Sequence, residues 1–342
     1  MSNLKKRKKI SDMNMDAFNN NDSDILDAIE KNTDFLLFTH CYPDGDGLGS
    51  ILSFYKMLKN LNKNVYAVCS SEMPYQYKFL SNSEVIIRSI EDINDNKKYI
   101  SVFLDCADSA RIKIDYEAVA IKSEKIINID HHMSNTYFGD INIVFPDKSA
   151  TCEIVYLLFK KYFNEKIDRD IAEALYTGIL TDTGKFQYSN TTKEVHKIIS
   201  DLLEYEINPS RIYSCIYENE PAGRFRLLAI VFKRSRILKS NNLIYSYIKM
   251  KDFNRLNLPF SANDGIIEIL RTAKDIKVAA LFKEVKKNIY KVSLRSSDES
   301  VNVASVAEIF GGGGHKMASA YVVEGDLKKS VAELDKAISN NH

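Results

Sequence analysis

Acids and imidazoles gather at three points of the chain, each directly after a short apolar run. His40, Asp44 and Asp46 stand in Thr39-His40-Cys41-Tyr42-Pro43-Asp44-Gly45-Asp46-Gly47-Leu48-Gly49-Ser50, which follows the apolar residues 35–38. Asp105-Cys106-Ala107-Asp108 follows 100–104, and Asp130-His131-His132 follows 126–129. An apolar run of strand length, a polar Gly/Pro turn and then a helical pattern put the first cluster where a strand's C-terminal end meets a helix N-terminus. Asp44 and Asp46 repel each other there, and the helix dipole offsets only about 0.3–1 kcal/mol per charge. An Asp-rich turn with a helix N-cap is one account of such a stretch. A bound cation is the other.

The same stretch nearly passes for a dinucleotide-binding turn, since Gly45-x-Gly47 lies between strand and helix, but Ser50 occupies the place of the third glycine. That motif brings a pyrophosphate onto bare backbone N–H groups, and Asp44 and Asp46 would repel it. A fourth candidate carboxylate, Asp182, stands in Thr181-Asp182-Thr183-Gly184 at the end of a helical pattern, an arrangement that also suits an ordinary helix terminus. Taken together, His40, Asp44, Asp46, Asp105, His131 and Asp182 supply four carboxylates and two neutral imidazoles, enough to balance two divalent cations. Such a pair, about 3.5–4 Å apart, clamps phosphoryl oxygens and makes hydroxide available at neutral pH. Holding the ions that close requires one shared carboxylate. Mixed His and carboxylate donors favour manganese over magnesium, with iron, cobalt or zinc also compatible. His131 and His132, as neighbours on an extended strand, are expected to point to opposite sides.

The elements that must position these groups follow from periodicity. Residues 35–38, 65–68, 100–104 and 126–129 are strand-like, and helical patterns such as 48–61 lie between them, so a parallel sheet covered by helices is expected. In such sheets ligands gather at the strands' C-terminal ends, where the three clusters lie. Helices are expected at 150–163 and 168–180, then at 195–205 and 209–217, with a break at Glu220-Pro221. Beyond it the pattern changes to hairpins, 236–238 with 244–248 and 278–282 with 290–294, and to helices at 264–275 and 301–310. The fold class is therefore α/β: a parallel-sheet catalytic domain with flanking helices (23–191), a helical linker (192–232) and a smaller α+β domain (233–342).

The second domain carries Gly311-Gly312-Gly313-Gly314-His315-Lys316 before a strand-like segment at 318–323. It is not a P-loop, because Lys316 follows His315 and precedes Met317. A helix C-cap needs one glycine; four permit positive φ and let a ligand approach bare N–H groups.

Asp130-His131-His132, together with His40-x-x-Pro43-Asp44-x-Asp46-x-x-Gly49-Ser50, Asp105-x-x-Asp108 and Thr181-Asp182-Thr183-Gly184, resembles the DHH phosphoesterase family, whose name is that tripeptide. Arg295-Ser296-Ser297, Asn302-Val303-Ala304 and the glycine run ending in His315 resemble the C-terminal domain associated with it. The resemblance implies that His40, Asp44 and Asp105 hold one manganese, and that Asp46, Asp105, His131 and Asp182 hold the other, with Asp105 as the bridge. It implies that His132 faces the scissile phosphate, and that Arg295, Gly311, Gly312, Gly313, Gly314 and His315 contact substrate. Arg suits that task because its fork grips phosphate bidentately.

The 342 residues, 45% hydrophobic and 27% charged, with a net charge of +1, give no whole-molecule attraction to long nucleic acid or a membrane surface. Five scattered cysteines without a Cys-x-x-Cys pair point away from structural zinc and disulfides, toward a reducing compartment. Residues 1–22 open with Lys5-Lys6-Arg7-Lys8-Lys9 and no apolar run follows, so a flexible tail on a cytoplasmic chain is expected. No stretch is long enough to span a bilayer. A two-domain cleft without a third module suits a ligand of a few nucleotides. Within the family, this points to the stand-alone branch that hydrolyses short oligoribonucleotides, adenosine bisphosphate (pAp) or cyclic and linear diadenylate, with homodimers known among its members. A non-catalytic nucleotide sensor using the same cleft is the alternative, and a dinucleotide-cofactor oxidoreductase is disfavoured by the acids at the first turn.

Overall fold

The computed structural model describes residues 21–340 apart from Asn94 and Asp264. Residues 1–20 of the expected tail lie outside the described residues, and Asn21 and Asp22 already belong to the first helix, α1 (Asn21–Lys31). The chain divides into two compact units, one ending at Asn219 and the other beginning at Glu220.

The first unit is built on β1 (Asp34–Phe38), a run with no polar residue after its first. Phe35 and Leu37 pack into one hydrophobic cluster and Leu36 and Phe38 into another, so both faces of this strand are buried. That is why its sequence is continuous rather than alternating. Around it lie β2 (Asn64–Val68), β3 (Ile86–Ile87), β4 (Tyr99–Leu104), β5 (Ser123–Asp130) and β6 (Ile141–Val144) in the order β3-β2-β1-β4-β5-β6, all pairs parallel. The strand order reverses direction between β1 and β4. At that point the loops after neighbouring strands leave on opposite faces and open a crevice.

Strands β3 and β6 were not expected. β3 has two residues, and the Asp140 carboxylate and Gly139 turn that lead into β6 give it the look of a loop. Helix α2 (Gly45–Asn60) begins three residues before the apolar pattern does, because Asp44 caps it: Asp44 Oδ1 accepts from the N–H groups of Asp46 at 3.0 Å and Gly47 at 3.1 Å. After α3 (Tyr116–Lys122), helices α4 (Thr151–Tyr162) and α5 (Arg169–Asp182) fall close to their expected positions. In the segment 192–232, α6 (Lys193–Leu202) and α7 (Pro209–Tyr217) bury Val195, Ile198, Leu202, Ile212 and Ile216 in the first unit's core. Helix α8 (Ala222–Arg234) instead buries Leu227 and Val231 in the second unit.

The second unit has a sheet in the order β11-β12-β10-β9-β8-β7, in which β11 is Gly313–His315 and β12 is Ala318–Glu324. β7 (Arg236–Leu238) and β8 (Leu243–Ile248) form one hairpin, and β9 (Val278–Lys286) and β10 (Ile289–Ser296) another. β8 and β9 are parallel, joined through α9 (Met250–Leu256) and α10 (Ile266–Arg271). Val278, Ala280 and Phe282 face one cluster, which α11 (Val303–Ile309) and α12 (Leu327–Ser339) also line. Ala279 and Leu281 face the other, shared with α8, α9 and α10. The α/β class with a smaller α+β unit is therefore as expected. Among the described residues no helix is long and apolar enough to cross a membrane.

Candidate metal centre

Every one of the six candidate ligands reaches one place at the C-terminal end of the parallel sheet. His40 follows β1, Asp44 caps α2 and Asp46 lies in its first turn; Asp105 follows β4, His131 follows β5 and Asp182 ends α5. His40 Nε2 lies 3.4 Å from Asp105 Oδ2 and 3.9 Å from Asp44 Oδ1. His131 Nε2 lies 3.3 Å from Asp182 Oδ2, 3.8 Å from Asp105 Oδ1 and 3.9 Å from Asp46 Oδ2. Asp105 is common to both sets, with one oxygen toward each imidazole. It holds this position in left-handed backbone, φ +61°, at the strand end, a conformation that Asp tolerates better than most residues.

Both imidazoles have a fixed tautomer. His40 Nδ1 is 3.1 Å from the Cys41 carbonyl and His131 Nδ1 is 3.3 Å from the Lys148 carbonyl. A carbonyl only accepts, so Nδ1 carries the proton in each ring and Nε2 is left facing carboxylates. Acceptors facing acceptors at under 4 Å need a cation or extra protons between them. The titration of the cluster says the same. Burial, then the neighbouring Asp105 and Asp44, push Asp182 up to about 8; burial, then Asp105 and Asp182, push Asp46 well above the usual carboxylate range. Burial opposes charge on His40, yet Asp105 and Asp44 outweigh it and raise the ring to about 10. Asp44 moves the other way, because His40 and the amides of Gly47 and Asp46 overcome the burial that would raise it. The donor set thus fits divalent ions. The buried Thr39 hydroxyl beside Gly47 has no hydrogen-bond partner among the described residues.

Several supports of this centre escaped the sequence reading. Asp46 Oδ2 accepts from Thr151 N–H at 2.6 Å and Oδ1 from Cys152 N–H at 2.8 Å, so the free amides at the start of α4 grip it. The Thr151 hydroxyl donates to Asp105 Oδ1 at 3.0 Å. Helices α2, α4 and α5 come close enough for this because Gly49 and Gly178 have no side chain. A Cβ on Gly178 would lie 2.2 Å from Cys152 Sγ and 2.9 Å from Asp46 Oδ1, and one on Gly49 would lie 2.5 Å from the Ala174 carbonyl oxygen. Contacts between residues so far apart along the chain leave no periodic trace.

His131 and His132 do not point apart as expected. β5 ends at Asp130, so strand alternation no longer applies, and both rings approach Asp105 Oδ1, His132 Nδ1 at 3.7 Å. His132 differs in its anchor: its Nδ1 is 2.7 Å from Asp130 Oδ1. Asp130 is fully buried, and its other oxygen accepts from Asn135 Nδ2 at 2.7 Å, with Asn135 also bonded to Asn128. The hydrogen bond to Asp130 raises the His132 pKa against burial, while His132 and Asn135 keep Asp130 low despite its own burial. Asp108, the last residue of its motif, instead caps the turn Ser109–Ile112 through Arg111 N–H at 3.1 Å.

The candidate substrate contacts lie in the second unit. Arg295 on β10 and His315 on β11 (Gly313–His315) both register with Ala318 of β12 (Ala318–Glu324), so they share a row and a face. The small Ala318 lies between them, and two strand spacings put their backbones about 10 Å apart. Arg295 is not a free fork: Nε donates to Glu268 at 2.9 Å and one terminal nitrogen to the Leu294 carbonyl at 3.0 Å. The glycine run is less of an open loop than expected. Gly311 N–H bonds Glu308 O and Gly312 N–H bonds Ala307 O, which closes α11 as a Schellman cap with Gly311 at φ +73°. A Cβ on Gly312 would lie 2.2 Å from the Ala320 carbonyl oxygen, and Gly314 has φ +146°. Gly313 alone of the four has neither a crowded Cβ nor a positive φ.

Residues 34–179 match the model of the DHH family, N-terminal domain, and residues 240–340 that of the DHHA1 domain. The chain is 29% identical over 323 residues to the bifunctional oligoribonuclease and PAP phosphatase NrnA of Thermus thermophilus, covering 92% of each. It is 26% identical over 302 residues to the Bacillus subtilis protein of that name, covering 87% of this chain and 91% of that one. The solved structure of an exopolyphosphatase-related protein from Bacteroides fragilis aligns at 27% identity with a TM-score of 0.85, covering 94% of this chain and 96% of that one.

Proposed function

The chain belongs to the DHH family of phosphoesterases, and on that premise we propose that it hydrolyses phosphodiesters of very short nucleotides, cyclic or linear diadenylate and short oligoribonucleotides, with pAp as a further substrate. The observation that carries this is the convergence of four carboxylates on two imidazoles whose Nε2 atoms face them. The names of the Thermus thermophilus and Bacillus subtilis relatives support the short-nucleotide class. Residues 23–191 take the chemistry in this proposal, and 233–342 the rest of the substrate.

His40, Asp44 and Asp105 would hold one divalent ion, and Asp46, Asp105, His131 and Asp182 the other, manganese being the ion best matched to these donors. Ions bound there supply Lewis acidity and an acidic water at neutral pH. The protein's own part is positioning and proton delivery. The α4 amides keep Asp46 oriented, and Thr151 does the same for Asp105. Asp130 holds His132 by Nδ1, so Nε2 is the nitrogen that donates to the leaving oxygen. Arg295 and His315 orient the substrate with the donors their own fold leaves unused.

The test is turnover by the purified, manganese-supplemented chain of cyclic diadenylate, linear diadenylate, pAp and a three-to-five nucleotide RNA. Cleavage of at least one is expected. Tight binding of diadenylate without any product would identify a sensor instead.

A further inference from the structure

Beside the metal centre a cavity of about 390 Å³ is lined by Cys41, Tyr42, Asp108, Ala110, Arg111 and Lys113. Three features set it apart from ordinary surface. Tyr42 is 82% exposed, two residues from His40, yet its backbone is firmly held in left-handed conformation, φ +58°. Cys41 N–H bonds the Arg111 carbonyl at 2.8 Å, Tyr42 N–H bonds Ser71 Oγ at 2.7 Å, and Ser70 Oγ bonds the Ile112 carbonyl. The loops after β1, β2 and β4 are thereby tied together, and the ring is presented to solvent on a rigid mount. Arg111 is only partly exposed, and among the described residues its guanidinium makes no ion pair or hydrogen bond. Lys113, exposed and at φ +55°, adds a second cation whose ammonium makes no ion pair or hydrogen bond among the described residues.

A half-buried guanidinium without a partner has lost solvation that an anion would restore, and the fork matches a phosphate. An exposed ring on a fixed backbone is a platform for a planar group. Cys41, in the lining, directly follows His40 and its N–H bonds the Arg111 carbonyl, so the cavity and the centre are close neighbours.

We propose that this cavity is a nucleotide subsite: the Tyr42 ring stacks on a nucleobase while Arg111 and Lys113 hold the phosphate of the same nucleotide. It rests on the short-nucleotide reading above, and extends it by assigning one nucleotide of the substrate to the first unit alone. The subsite selects for substrates with a base and phosphate next to the scissile bond, and it serves any base, since nothing in the lining reads a base edge except Asp108, whose carboxylate already caps a turn.

The experiment compares Tyr42→Ala, Tyr42→Phe and Arg111→Gln with the unaltered chain, all in manganese, on linear diadenylate. Among the described residues the side-chain groups removed make no hydrogen bond or ion pair, so the fold is expected to be kept, which thermal melts of the three variants check. Tyr42→Ala and Arg111→Gln are expected to raise KM about 5- to 100-fold with kcat retained, as for loss of stacking or uniform binding, while Tyr42→Phe stays near the parent. In parallel, calorimetry on chelated protein titrates AMP and ribose 5-phosphate; Tyr42→Ala should reduce AMP affinity to that of the sugar phosphate. Parent turnover with unchanged KM in both variants overturns the subsite and leaves the function standing. Absence of turnover in the parent overturns the function, and the AMP titration then decides the subsite by itself: equal AMP affinity in Tyr42→Ala and parent refutes it.

Discussion

Gly312 and Gly313 are adjacent, and the fold makes opposite demands on them. A methyl on Gly312 would sit 2.2 Å from the Ala320 carbonyl oxygen, 2.5 Å from Tyr321 Cβ and 2.8 Å from Tyr321 Cα. Those are backbone and near-backbone atoms of β12, so relief requires the three-residue edge strand β11 to move off by about an ångström. Overpacking of this kind costs about 1–3 kcal/mol, or roughly 4–12 °C in Tm for a unit of this size. A methyl on Gly313 meets nothing within 4 Å, and its φ suits any residue. Gly313→Ala is therefore expected to leave Tm unchanged or raise it, since a compatible Gly→Ala change stabilises by about 0.4–1 kcal/mol through the unfolded chain. Gly313 also registers with Ala320 and, through it, Ser293, one row along from His315, Ala318 and Arg295. If substrate lies on this face, the Gly313 methyl occupies its space, and KM for diadenylate should rise at least tenfold in a protein as stable as the parent. Differential scanning fluorimetry and steady-state kinetics on the two variants separate the effects. A Gly313→Ala enzyme with parental KM and kcat would show that the run serves only α11 and β12, and would falsify the assignment of Arg295 and His315 to substrate.

Other expectations concern the first unit. Asp105→Ala should abolish both metal binding, read by calorimetry with Mn, and turnover; near-parental activity would remove Asp105 as the shared ligand. Asp130→Asn should keep metal stoichiometry while lowering kcat at least 100-fold, since the neutral amide neither fixes the His132 tautomer nor stabilises its charge; an unaltered kcat would take His132 out of the chemistry. In chelator, stability should fall as pH rises. Asp182, raised to about 8, holds a proton that the unfolded chain has already lost above its ordinary carboxylate pKa, and His40, raised to about 10, holds one that the unfolded chain loses above about 6.5. The Asp182 contribution declines from the ordinary carboxylate range up to about pH 8 and that of His40 from about 6.5 to 10, so the Tm gained on adding Mn should be larger at pH 9 than at pH 6. Equal gains would mean that the cluster does not exchange protons for ions.

Much of the centre was legible because its residues sit at strand ends, where short apolar runs stop at a polar residue. The 35–38 and 100–104 runs declare themselves by being buried on both faces, and each is followed by the residue that matters. Asp44 was open to two readings, helix cap or ligand; the structure shows the cap, and the same Oδ1 lies 3.9 Å from His40 Nε2 among the candidate ligands. What stayed hidden is of another kind. The amides of Thr151 and Cys152 carry no side-chain signature, and Gly178 matters only against Cys152 and Asp46, which lie on other helices. The opposite-facing expectation for His131 and His132 failed because it needed β5 to continue two residues farther than it does. In the glycine run, composition suggested one shared purpose, whereas the backbone divides the four residues among a helix cap, a strand contact, an unusual φ and one position with no internal reason to be glycine.

The shared position of Asp105 has a consequence for how this unit comes into being. Its neighbours in space arrive from residue 40 at one extreme and residue 182 at the other, with five parallel connections in between. Parallel crossovers close slowly, because each demands that a long intervening segment be ordered first. A growing or half-collapsed polypeptide can therefore offer isolated acids but no complete nest, and full-strength ion capture marks the last stage of maturation. Hydrolytic competence is in that sense a certificate of completed folding, issued only when the two ends of the unit have met.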